Sequence, residues 1–256
     1  MKHTVDQSGN ISKFSDGYEI EIKNLHKAFG ERKILRGVSV CIRQGSTFAV
    51  MGGSGTGKSI LLKHMVGLME PDSGEVWVQG HQVDQLDQSS LNALRLRIGY
   101  LFQGGALFDS MTVAENLDFV LRRHSTMSVS ERTEQIQEAI AWVNLPHAAT
   151  QYPAELSGGQ KKRIALARAI ILSPDILLCD EPTTGLDPVS VRTVSNLIMR
   201  LKAERGITTV AITHDLLCAE IIADHAAFLY QGKTLAEGTL DELRASQHPQ
   251  LREFFG

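Results

Sequence analysis

No stretch of this sequence supplies the roughly 18 uncharged apolar residues that a membrane-crossing helix needs. The best candidate, Ile164 to Cys179, is broken by Arg168, Pro174 and Asp175, so any membrane role has to come through a partner. A basic excess is missing too: 26 Lys and Arg stand against 29 Asp and Glu, which removes the electrostatic case for DNA or RNA as the default ligand. Cysteine is scarce. Cys41, Cys179 and Cys218 are far apart, odd in number and set in apolar or periodic segments, the pattern of buried free thiols in a reducing compartment rather than of a disulfide or metal site. The first 17 residues, MKHTVDQSGNISKFSDG, lack the apolar core of a signal peptide and read as a disordered leader. Repeats and low-complexity tracts are also absent. What is present is ordinary globular composition, 43% hydrophobic and 21% charged over 256 residues, enough for one well-cored domain with room for a sub-domain.

Alternating apolar residues at Ile20 and Ile22, and again at Val38, Val40 and Ile42, predict half-buried strands joined by a turn around Phe29-Gly30-Glu31, hence a small antiparallel sheet. Thr47 to Met51 is a short apolar run ending in glycines, as a fully buried parallel strand looks. Similar runs occur at Ile98 to Phe102, Ile176 to Cys179 and Thr209 to Thr213, each followed by polar residues. Between them, helical spacing of apolar residues marks Ile60 to Leu68, Val113 to Leu121, Glu131 to Leu145, Gly159 to Ile171 and Val189 to Leu201. Strands alternating with helices imply a mostly parallel sheet, in which ligands bind beyond the C-terminal strand ends. The tail from 239 to 256 reads as one or two helices packed on the body, the last over 248–256.

Gly52-Gly53-Ser54-Gly55-Thr56-Gly57-Lys58-Ser59 matches G-x-x-x-x-G-K-[ST] between a predicted strand and a predicted helix that opens at Ile60. Glycines let backbone N–H groups turn inward around phosphates, and the helix N-terminus adds its positive dipole. In that pattern Lys58 is expected to reach the β- and γ-phosphates, and the Ser59 hydroxyl can ligate Mg²⁺. Ile176 to Glu181 is an apolar strand ending in two acids. Strand neighbours point to opposite sides, so Asp180 is expected to hold Mg²⁺ beside Ser59 while Glu181 faces the γ-phosphate and polarises the attacking water. Alone, an apolar run followed by Asp-Glu is weak evidence; downstream of a phosphate loop it is not.

Leu156-Ser157-Gly158-Gly159-Gln160 opens a periodic helix 20 residues before the acid-bearing strand (156 to 176). By itself Ser-Gly-Gly is an N-cap turn, but with the phosphate loop upstream it resembles the signature motif of ABC ATPases. Other elements of that family follow in its order. Gln103 resembles the Q-loop glutamine, which contacts the metal and water; Gly185-Leu186-Asp187 resembles the D-loop; His214 resembles the switch histidine; Phe29 resembles the aromatic that stacks on adenine. The resemblance covers nearly the whole chain. It implies a P-loop NTPase (RecA-like) α/β core with an antiparallel β sub-domain and an inserted α-helical sub-domain at about 105–165, together an ABC ATPase domain over 18–247. It also implies MgATP sandwiched between two copies, one giving Phe29, Gly52 to Ile60, Gln103, Asp180, Glu181 and His214, the other giving Ser157 to Gln160 and Asp187.

Gln103-Gly104-Gly105-Ala106-Leu107-Phe108-Asp109-Ser110-Met111-Thr112-Val113, followed by Glu115-Asn116-Leu117, resembles the permease-facing segment of ATPases in Mla and Mce-associated phospholipid transport systems, as does the ending His248 to Gly256. The stop at Gly256, short of the longer tail of some members, leaves dimer contacts by such a tail in doubt. That resemblance implies a multispanning permease, a STAS-type small subunit, an Mce-type lipid-binding protein, and a place on the cytoplasmic face of the inner membrane. The competing transporter is a polar amino acid importer, whose ATPases carry bulkier residues in place of Gly105-Ala106. From other classes, soluble ABC proteins acting on DNA or ribosomes need tandem ATPase domains or a coiled-coil insertion, and a nucleotide kinase needs an Arg-rich lid. The basic cluster Lys161, Lys162, Arg163 and Arg168 reads as a solvated helix face.

Overall fold

The computed structural model describes residues 17–53 and 55–256. The expected leader, Gly17 aside, and Ser54 of the phosphate loop lie outside them.

Two sheets form the body. β1 (Tyr18–Phe29) and β2 (Arg32–Arg43) make the antiparallel hairpin, turning at Gly30 and Glu31. β4 (Ser73–Val78) and β5 (His81–Gln82) extend it in the order β2-β1-β4-β5. The second sheet runs β10-β9-β3-β8-β7-β6, from β3 (Thr47–Met51), β6 (Ile98–Leu101), β7 (Ile176–Asp180), β8 (Thr208–Ile212), β9 (His225–Tyr230) and β10 (Lys233–Gly238). All its pairings are parallel except β9 with β10. β3, β7 and β8 are buried along their whole length, which is why they read as continuous apolar runs.

Helices cover the parallel sheet. α1 (Lys58–Met65) follows β3 and buries Leu61, Leu62 and Met65 between the two sheets with Ile20, Ile22 and Val38. α2 (Gln88–Leu96) leads into β6. α3 (Val113–His124), α4 (Val129–Trp142) and α5 (Gly158–Ile170) share a core with α6 (Pro188–Arg205), built on Leu117, Leu121, Ile140, Ile164 and Ile198. Capping boxes at Thr112/Glu115 and Ser128/Glu131 fix the starts of α3 and α4. α7 (Leu216–Ile222), α8 (Leu240–Ala245) and α9 (Pro249–Phe255) close the far edge, where Phe254 packs edge-on against Phe228.

Two expectations are corrected. Cys41 is exposed, because it occupies an outward position of β2 between buried Val40 and Ile42; only Cys179 and Cys218 are buried. The basic cluster on α5 is not a solvated face. Lys162 is buried, Arg163 binds the carbonyls of Val143 and Asn144, and Arg168 binds those of Gly105 and Ala106. Lys162 and Arg168 satisfy backbone carbonyls in the loops that follow β6 and β7, and Arg163 satisfies those left free at the end of α4.

Candidate active site

Four adjacent parallel strands, β3, β8, β7 and β6, deliver their C-terminal ends to one place. The phosphate loop follows β3, His214 follows β8, Asp180 ends β7 with Glu181 just after it, and Gln103 follows β6. A cavity of about 550 Å³ opens there, lined by Phe29, Arg32, Ile34, Gly55, Gly57, Lys58, Ser59, Ile60, Gln103 and Glu181. Phe29, at the tip of β1, leaves its ring half exposed at the cavity rim.

The loop geometry explains the glycines. Gly52 has φ 137°, and a Cβ there would stand 2.3 Å from the carbonyl oxygen of Leu229. Gly57 has φ 97° and would drive a Cβ to 2.7 Å from Leu35. Any side chain at either position forces the loop open. Thr56 Oγ1 ties back to the Gly53 carbonyl at 2.9 Å. α1 starts at Lys58 with Gly57 as its N-cap and no side-chain cap, so its first-turn N–H donors are left for an anion. The loop therefore fits a phosphate chain. Lys58 Nζ donates to the carbonyls of Gly52 and Gly53 at 2.8 and 2.9 Å, and burial holds its pKa below the ordinary lysine value.

Ser59 Oγ donates to Asp180 Oδ1 at 2.8 Å. Hydroxyl and carboxylate side by side are hard oxygen donors of the kind Mg²⁺ takes, and Gln103, whose side chain carries a further amide oxygen donor, lines the cavity with Ser59. Burial pushes the Asp180 carboxyl up, and the Ser59 hydroxyl bond pulls it back down. Glu181 departs from the strand alternation expected of it. β7 ends at Asp180, and Glu181 takes a left-handed backbone, φ 52°, so a turn rather than the pleat sets its direction. Its N–H donates to the Ile212 carbonyl at 3.0 Å. Its carboxylate meets Thr184 Oγ1 and His214 Nδ1, both at 2.9 Å.

The remaining sequence-predicted residues stand apart from this cavity. Ser157 is the N-cap of α5, with a full capping box to Gln160, and Gly158 is exposed beside it. Gly159 is buried against Ser190, where a Cβ would lie 2.8 Å from the hydroxyl oxygen. Ser190 in turn donates to Asp187, the N-cap of α6, at 2.6 Å. The glycine thus lets the Ser157 and Asp187 turns sit together as one ledge.

Sequence reasoning passed over Thr184, which is bonded to Glu181, and read Lys162 as part of a solvated face, whereas its ammonium donates to the main-chain carbonyls of Gln103 and Glu181. Lys162 falls on the helical series Gly159, Lys162, Leu166, Ile170, all buried; that spacing was the available signal. Asn116 was read only as part of a family pattern. Its side chain, fully buried, exchanges hydrogen bonds with the backbone of Phe108 and also donates to the carbonyls of Met111 and Thr112.

A phosphate loop after the first parallel strand, with acidic residues at the end of β7, separated from it in the sheet by β8, defines a P-loop nucleoside triphosphatase. The chain belongs to the ABC transporter family, whose model matches residues 35–184. It is 37% identical over 241 residues to "Probable ribonucleotide transport ATP-binding protein mkl" of Mycobacterium tuberculosis, covering 94% of this chain and 67% of that one. It is 36% identical to "Intermembrane phospholipid transport system ATP-binding protein MlaF" of Escherichia coli over 92% of this chain and 87% of the relative. "Methionine import ATP-binding protein MetN" of Campylobacter jejuni is 38% identical over 93% and 75%. Among solved structures, the dimeric ATP-binding cassette MJ0796 bound to ADP and Pi superimposes with a TM-score of 0.79 at 33% identity, covering 86% of this chain and 98% of that one. The chain is therefore the ATP-binding subunit of an ABC transporter, hydrolysing ATP in a reaction coupled to transport. Among the described residues no helix is long and apolar enough to cross a membrane.

Proposed function

We propose that this subunit powers phospholipid transport through a separate permease, working as an ATP-sandwich homodimer at the cytoplasmic face of the inner membrane. The observation that carries the chemistry is the Glu181 carboxylate, aimed from a left-handed turn, held by Thr184 and His214, and lining the same cavity as Lys58 and Ser59. In this scheme the phosphate loop binds the triphosphate, Phe29 stacks on the base, and Lys58 exchanges its bonds to loop carbonyls for the β- and γ-phosphates. Glu181 accepts a proton from water as the water oxygen bonds to the γ-phosphorus. The bond from the γ-phosphorus to the β–γ bridging oxygen breaks, and ADP leaves with the electron pair. His214 holds the Glu181 carboxylate in place. Ser59, Asp180 and Gln103 would hold Mg²⁺, which neutralises charge on the phosphate oxygens when bound. Ser157, Gly158, Gly159, Gln160 and Asp187, on a ledge outside the cavity, serve the site of a second copy.

The lipid assignment is supported by the relationship to MlaF and by the Gly105-Ala106-Leu107-Phe108 segment. Arg168 and Asn116 fold that segment into a fixed loop with Phe108 at its surface. A STAS-type subunit and an Mce-type lipid-binding protein complete the proposed assembly. The relationship to MetN favours the second transporter reading, amino acid import. Capture of the tagged chain from detergent-solubilised membranes separates them: a permease arriving with phospholipid and without a soluble amino acid-binding protein supports lipid transport, and amino acid-stimulated ATPase activity overturns it.

A further inference from the structure

The buried ammonium of Lys162 touches three functional segments at once. Its own helix, α5, begins at Ser157. Its Nζ donates to the carbonyl of Glu181 at 2.9 Å and to that of Gln103, and the side chain is only 6% exposed. Among the described residues no other side chain bridges the backbone of the β6 loop to that of the β7 turn. The Glu181 turn needs such support. A left-handed φ at a residue with a full side chain is held only where its surroundings over-determine it. Here the N–H is fixed by Ile212, the carboxylate by Thr184 and His214, and the carbonyl, among the described residues, by Lys162 alone.

We infer that Lys162 is a positioning residue for hydrolysis: its ammonium pins the Glu181 backbone to the Gln103 loop and to the signature helix, so that the base reaches its working position only when both are seated. A neutral side chain there leaves two carbonyls without their shared donor and frees the turn to relax toward an ordinary backbone. Because Gln103 opens the segment proposed to face the permease, the same ammonium carries movements of that loop to the base. Lys162 is not among the residues that line the cavity, and it has this role only if Glu181 is the base, as proposed above.

The test is steady-state ATP hydrolysis by the purified full chain, with Lys162→Met, Lys162→Arg and Glu181→Gln measured beside the wild type. ATP affinity is followed with a fluorescent nucleotide and folding by thermal melting. A shift of the base by a fraction of an ångström predicts that Lys162→Met lowers kcat at least ~10-fold while KM and ATP affinity stay within ~3-fold. Lys162→Arg, which keeps a charged donor, recovers most of that loss. Wild-type kcat in Lys162→Met overturns the inference, as does a parallel loss of kcat and ATP affinity that arginine does not restore, the signature of a mere strut. If Lys162→Met does not fold, Lys162→Gln carries the test under the same criteria, its shorter amide losing the double contact. Glu181→Gln separates the layers: if it still turns over ATP, the base assignment fails and the inference with it. If it is dead while Lys162→Met is normal, only the role of Lys162 fails.

Discussion

The Nδ1 atom of His214 lies 2.9 Å from Oε2 of Glu181, and Thr184 Oγ1 donates to that same oxygen from the other side at 2.9 Å. The proposed base is thus oriented by two groups from two different loops, one after β8 and one after β7. Its carboxylate is largely buried, whereas His214 remains more than half exposed.

Removing one orienting group leaves the base present but poorly aimed. His214→Ala is expected to lower kcat about 10²-fold with ATP affinity held within ~3-fold, and Thr184→Val to lower it about 10-fold. Steady-state kinetics beside nucleotide titration checks both. A large loss of ATP affinity in either variant would move that residue from orienting the base to binding nucleotide.

Gly52 shows why the loop tolerates no side chain at its entrance. With φ 137° and a neighbouring carbonyl oxygen 2.3 Å from where a Cβ would stand, Gly52→Ala has to displace backbone. We expect about 1–3 kcal/mol of lost stability and at least ~10-fold weaker ATP binding. Gly55 has nothing within 4 Å of its hypothetical Cβ but a φ of 75°, so Gly55→Ala strains the loop without a collision and should cost less. Denaturant melts and nucleotide titration of the two variants give the comparison.

His64 couples the fold to acid. It sits buried on α1 with Nδ1 2.8 Å from the Ile60 carbonyl oxygen and the Glu70 backbone close to the ring. Burial lowers its pKa, the bond to Ile60 opposes that, and Lys27 and Asp72 nearby act in opposite directions. The unfolded chain therefore binds a proton at His64 more readily than the folded one, so stability contributed by the neutral ring is complete above the ordinary histidine value of about 6.5 and lost as pH falls through the lowered one. His64→Phe should flatten the decline in melting temperature on that acid side. An unchanged slope would clear His64 of the effect.

The sequence made β3, β6, β7 and β8 and their loops legible because both signals are local. Thr47–Met51 is buried throughout, and glycines, a lysine and a serine at fixed spacing follow it directly. β4, β9 and β10 were not read. β10 has five of its six positions partly or fully exposed, and its place beside β9 depends on a turn at Gln231-Gly232 rather than on an apolar pattern. Thr184, Lys162 and Asn116 were missed as individuals for a different reason. Each acts on a backbone group or carboxylate that the fold brings to it; a lone Thr or Asn carries no spacing that announces such a partner, and the helical spacing that marks Lys162 as inward-facing does not name the carbonyls it meets. The turn at Glu181 was hidden in the same way, since a non-glycine residue with left-handed φ leaves no mark in the chain.

Everything proposed for the site depends on two copies closing around ATP, with the Gly52 loop of one facing Ser157 of the other. Glu181→Gln keeps the shape of the base while removing its ability to take a proton, so hydrolysis should slow by at least ~10³-fold and the closed pair should persist. Light scattering of purified Glu181→Gln with and without MgATP measures this directly. The account predicts twice the monomer mass with MgATP and monomer without it, and loss of the pair when Ser157→Arg is added. Monomer under both conditions, or a Glu181→Gln protein that hydrolyses ATP near the wild-type rate, would contradict it.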